Sequence, residues 1–118
     1  MRTIESVLAA SDNVRDIALL HLDVWEDRPV KWWLNRILSK LSDAIDAKDG
    51  RHVHHGSEYD TLMWEVQQIA SIAINLLAQK RDAGAELVSP EAVLREHLLT
   101  TGVFMGGDAA APKEAEVE

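Results

Sequence analysis

The sequence predicts an all-α fold, a compact bundle of four to five helices completed by oligomerisation. Three observations predict it. Prolines stand only at 29, 90 and 112, so long stretches run free of helix breakers. The period-2 alternation of a half-buried strand is absent. Over 30–48, Val30, Trp33, Leu34, Ile37, Leu38, Leu41, Ala44 and Ile45 follow the i, i+3, i+4, i+7 template without a miss.

The elements follow in order. A short helix is expected over about 3–10. A second starts at Ser11 or Asp12 as N-cap and runs to about Glu26, with Val14, Ile17, Ala18, His21, Val24 and Trp25 as its apolar stripe. Pro29 breaks the chain and opens the helix over 30–48, which Gly50 stops. "DGRHVHHGSEYD" is the main loop, and a long helix runs from about Glu58 to Arg81. "DAGAELV" is a turn; Ser89 then caps a last helix with Pro90 in first position, reaching about Thr100. Residues 1–105 read as one domain without internal repeats. Residues 106–118, "GGDAAAPKEAEVE", read as a disordered acidic tail, because they lack the apolar bulk that offsets ordering entropy.

Composition narrows the function classes. Hydrophobic residues make up 47% and charged residues 27%, ordinary for a globular chain of 118 residues. The net charge of −8 disfavours generic affinity for nucleic-acid backbone or anionic membrane, and no basic stripe with interleaved aromatics offers a nucleic-acid face. Cysteine is absent, which removes disulfides and thiolate chemistry. "MRTIESVLAASDN" lacks the apolar core of a signal peptide, and Glu65, Gln68 and Asn75 interrupt the best membrane-span candidate. The expectation is a soluble, cytoplasmic protein. A P-loop, GxGxxG and GxSxG are absent as well.

Four features carry candidate chemistry. The helix over 58–81 is apolar nearly all round, yet Glu65, Gln68, Asn75 and Gln79 run down one quadrant of it. Such a stripe meets solvent, pairs with buried polar groups, or lines a site. Asp43, Asp46 and Asp49 stand at i, i+3 and i+6, a spacing that suits a shared divalent cation or a plain solvated face. His52, His54 and His55, with Glu58 and Asp60 after them, suit either a transition-metal ion or an exposed titrating loop, and His21 reads as a satisfied core histidine. Trp25, Trp32, Trp33 and Trp64 suit core or interface packing, or stacking on a nucleobase; Trp32 is the one expected to be exposed.

"WWLNRILSKLSDAIDA", then "MWEVQQIASIAINLLAQKRDAG" and "SPEAVLREHL", resemble the all-α NTP pyrophosphohydrolases of the MazG-like group over about residues 21–98. In that family one helix carries EExxE and the next carries ExxD, with an Asn about two turns later. Together they bind Mg²⁺ and a nucleoside triphosphate, and water releases pyrophosphate. The resemblance puts Glu65 and Gln68 on the ExxD pair, in a variant form with Gln for Asp, and Asn75 on the later Asn. The EExxE positions read Ser39, Lys40 and Asp43, so only the last keeps a carboxylate. The resemblance therefore implies Glu65 and Asp43 as catalytic and metal-binding residues, helped by Asp46. It implies Asn75, Lys40 and Gln68 as substrate contacts and Trp32 as the aromatic for the base. Lys40 would either touch phosphate or fill a lost metal's place with positive charge.

Two functions follow as expectations. One is a divergent Mg²⁺-dependent hydrolase of an NTP or dNTP. The other is a catalytically inactive helical protein-interaction module of phage or mobile-element origin. Either is expected as a homodimer or higher homo-oligomer built on 30–48 and 58–81, with Ile72 on the least covered side of the long helix.

Overall fold

The computed structural model describes residues 1–51 and 53–101; the 106–118 tail and His52 lie outside the described residues. Four helices appear among these residues and no strand: α1 (Ile4–Leu22), α2 (Val30–Lys48), α3 (Glu58–Asp82) and α4 (Pro90–Thr101). The all-α expectation is met. No described helix is long and apolar enough to cross a membrane.

Local chemistry explains the boundaries. Thr3 caps α1 and Ser57 caps α3, each in a reciprocal capping box, with Ser6 and Asp60 respectively. α2 starts directly behind Pro29 without a side-chain cap. Ser89 Oγ accepts from the Ala92 amide at 3.1 Å, opening α4 as its spacing predicts. Gly50 ends the α2 segment at φ 80°, where a Cβ would sit 2.8 Å from Glu58 Oε2.

The N-terminal expectation needs correction. In place of two helices over 3–10 and 11–26 there is one, and Ser11 and Asp12 lie inside it. Neither Gly nor Pro interrupts 4–22, and Arg15 bridges Asp12 at 3.5 Å and Asp16 at 3.1 Å along the helix surface. The helix also stops at Leu22, four residues early. The amides of Val24 and Trp25 both turn back to the His21 carbonyl, and the chain runs on to Pro29 without regular structure.

Residues 1–85 form one compact unit, and a second begins at Glu86. The second unit contains α4. In the first, α3 is the central element, and both α1 and α2 pack on it. The buried apolar residues are Ala18, Trp33, Ala44, Ala47 and Ile72. Trp33, Ala44 and Ala47 are the buried residues of α2, and the Trp33 indole N–H donates to Gln79 of α3 at 2.8 Å. Ile72 is completely buried, which overturns its expected position on the least covered side. The exposed apolar rows lie elsewhere: Leu34, Leu38, Leu41 and Ile45 on α2, and Val66, Ile74 and Leu77 on α3.

Candidate functional site

Thr61, Glu65 and Ser71 on α3 are fully buried polar residues, each tied to a different part of the first unit. Thr61 Oγ1 accepts from the amides of His54 and His55 at 3.1 and 3.0 Å, pinning the α2–α3 loop to the start of α3. That places His54 Nε2 3.0 Å from Glu65 Oε2. Lys40 Nζ of α2 stands 3.6 Å from the other oxygen, Oε1. A fully buried carboxylate thus has an ammonium at one oxygen and an imidazole at the other. His55 extends the loop's hold by stacking on Trp64 at 4.0 Å.

The rest of the stripe is a seam. Asn75 Nδ2 donates to the Ala18 carbonyl of α1 at 3.3 Å and to the Ser71 carbonyl at 3.0 Å. Ser71 Oγ is 2.7 Å from His21 Nδ1. Gln79 holds the α1–α2 connection: its Oε1 accepts from the Arg28 amide at 3.0 Å and the Trp33 indole at 2.8 Å, and its Nε2 donates to the Arg28 carbonyl at 2.6 Å. Of the three explanations for a polar line on an apolar helix, pairing with polar groups accounts for Glu65, Asn75 and Gln79.

Gln68 takes another role. With Ile17, Leu20, His21, Lys40, Trp64 and Gln67 it lines a cleft of about 460 Å³ formed by α1, α2 and α3. That volume falls in the range of small-molecule sites. The cleft offers one ammonium, two amides, an imidazole and a half-exposed indole. His21 is held below its ordinary pKa of 6.5, first by burial and then by the positive charges of Arg36 and Lys40.

The residues singled out from sequence therefore part company. Lys40 and Gln68 share the cleft, and Glu65 sits behind Lys40 as its ion-pair partner. Asn75 is engaged with the α1 backbone. Asp43 is half-buried on α2, one turn beyond Lys40. Asp46 is bound to Arg51 at 2.7 Å, and Asp49 meets the same guanidinium at 3.2 Å. These contacts raise the Arg51 pKa, chiefly through the Asp46 hydrogen bond, and offset two carboxylates at a helix C-terminus. Trp32 is half-buried in an edge-to-face cluster with Trp25 and Trp33 at 6.1 and 5.0 Å, under the guanidinium groups of Arg28 and Arg36. The aromatic at the cleft is Trp64. Neither it nor His21 carried a sequence signal for that role, since both sit at apolar helical positions.

Among the described residues no three side chains of His, Cys, Asp or Glu come together to hold a metal ion. Mg²⁺ requires a near-octahedral set of oxygens, whereas Glu65 has nitrogen cations or donors at both its oxygens and Asp46 is taken by Arg51. Glu65 and Asp46, so engaged, do not fit the ion. Compared with known proteins, the chain matches no family model, no curated protein and no solved structure.

Proposed function

We propose that this chain is a divergent counterpart of the all-α NTP pyrophosphohydrolases, and that its cleft takes a nucleoside triphosphate. One observation carries the reading: Lys40, ion-paired to the buried Glu65, lines a cleft that also presents the Trp64 indole and the Gln67 and Gln68 amides. An ammonium suits phosphate, an indole face suits a base, and amides suit the base edge or sugar. Glu65 acts as a positioning residue, fixing the Lys40 ammonium at the cleft wall. The reaction to look for is release of pyrophosphate, leaving the monophosphate. The proposed setting is the cytoplasm, where such nucleotides are available. Differential scanning fluorimetry across the NTPs and dNTPs, paired with a pyrophosphate-release assay, tests both halves. A thermal shift with pyrophosphate release supports a hydrolase, and a shift alone supports a binding protein. Neither response to any nucleotide sinks the reading.

A second reading rests on a separate observation. Leu34, Leu38, Leu41 and Ile45 recur at spacings of four, three and four along α2, and are 45–63% exposed. That is the spacing of a helix–helix seam, and it supports a homodimer, whether or not the protein is also an enzyme. Sedimentation velocity at micromolar concentration tests it, and a single 13.1 kDa species would exclude it.

A further inference from the structure

Arg36 lies one turn before Lys40 on α2, the i, i+4 spacing that brings two side chains to one face. Its guanidinium rests 5.1 Å from the Trp25 ring and 5.4 Å from Trp32. Among the described residues, Arg36 enters none of the ion pairs, and its buried Nε makes no hydrogen bond. Among the described residues this guanidinium meets aromatic faces and no anion, in a chain of net charge −8, and so presents a donor fork. His21 joins this group to the cleft: it lines the cleft beside Lys40, and its ring stacks at 4.0 Å on the Trp25 that carries Arg36. After burial, both cations also lower the His21 pKa, so both act on this ring.

Lys40 has donors to spare. At 3.6 Å its contact with Glu65 is an ion pair longer than a good hydrogen bond, and its side chain remains a quarter exposed. Resting on the nucleotide reading above, we propose that Arg36 and Lys40 form a built-in cation pair that binds the ligand's phosphates directly, so that phosphate binding at this cleft is independent of a divalent metal. Where Glu65 and Asp46 do not fit Mg²⁺, two protein cations supply the charge that Mg²⁺ brings elsewhere. Arg36 gives the planar fork suited to two phosphate oxygens and Lys40 a point charge on the next phosphate. A Mg²⁺–phosphate complex, with part of its charge already neutralised, is then the poorer ligand.

The test is isothermal titration of the full chain with inorganic tripolyphosphate, which has no base, in EDTA and then in excess Mg²⁺. Binding in EDTA that weakens on adding Mg²⁺ is expected. Arg36→Gln and Lys40→Gln should each weaken it about tenfold or more, and Arg36→Lys and Lys40→Arg should recover most of the loss. Circular dichroism checks that each variant folds. Independently of any variant, tripolyphosphate in EDTA should slow acylation of Lys40 in the wild-type chain, read by mass spectrometry. Binding only with Mg²⁺ overturns the cation pair and leaves the nucleotide reading standing. Binding in EDTA that ignores both Gln variants, or that leaves Lys40 acylation unchanged, overturns it too. No binding of tripolyphosphate or of any nucleoside triphosphate in either buffer removes both.

Discussion

His54 Nε2 meets the fully buried carboxylate of Glu65 at 3.0 Å, so a loop residue and a mid-helix acid complete one another. Lys40 at 3.6 Å makes the carboxylate a junction of α2, α3 and the loop between them. Glu65→Gln keeps the shape and removes the charge that both partners face. A loss of about 1–3 kcal/mol is expected, at the lower end because Lys40 and His54 are partly solvated. Urea denaturation measures it, and an unchanged midpoint would show that the junction contributes nothing.

Thr61 holds that loop by two amide hydrogen bonds to one buried hydroxyl. Thr61→Val matches its shape and leaves the His54 and His55 amides without that acceptor. Their hydrogen exchange should accelerate strongly, with about 1–3 kcal/mol lost in stability. Thr61→Ser, which keeps the oxygen, should restore protection. Equal protection in Thr61→Val and wild type would contradict this geometry.

The Gln79 amide is the strap across the α1–α2 connection. Gln79→Leu removes both donor and acceptor from Arg28 and one of two acceptors from Trp33, whose indole also reaches the Arg28 carbonyl at 3.2 Å. A cost of about 1–2 kcal/mol is expected, with a change in Trp fluorescence as the cluster loosens. Wild-type fluorescence and stability together would count against the strap.

Stability should depend on pH through His21. Its folded pKa lies below 6.5, so above that value neither state carries the proton and the contribution is complete. As pH falls below 6.5 the unfolded chain binds the proton first, and this stability is lost down to the folded pKa. His21→Gln should flatten that segment of the stability–pH curve. A His21 resonance titrating at or above 6.5 by NMR would refute the assignment.

Position 72 separates folding from assembly. Ile72→Asp buries a charge at a completely enclosed site and should unfold the first unit. Leu38→Glu, at a side chain 63% exposed, should keep helicity while shifting sedimentation toward the monomer. If Leu38→Glu left the association state of an oligomeric wild type unchanged, the α2 seam would not be its contact.

Helix identity and most boundaries were legible in the sequence because they are local. α2 begins behind Pro29 and ends shortly before Gly50, α3 starts at Glu58, and Ser89 with Pro90 starts α4. The division of α1 was misread because Ser11 and Asp12 have capping chemistry without a break in the chain to need it. The polar stripe on α3 was also visible. Tertiary structure alone decided what the stripe is for. Gln79 finds Arg28 51 residues away, Asn75 finds Ala18 57 residues away, and Glu65 finds Lys40 across the α2–α3 contact. It likewise buried Ile72 rather than Leu77, because α3 is apolar nearly all round and its own periodicity carries no mark of which side its neighbours take. Helix formation depends on residues three and four apart. A cleft depends on which faces two neighbouring helices cover, and that is settled only when they pack.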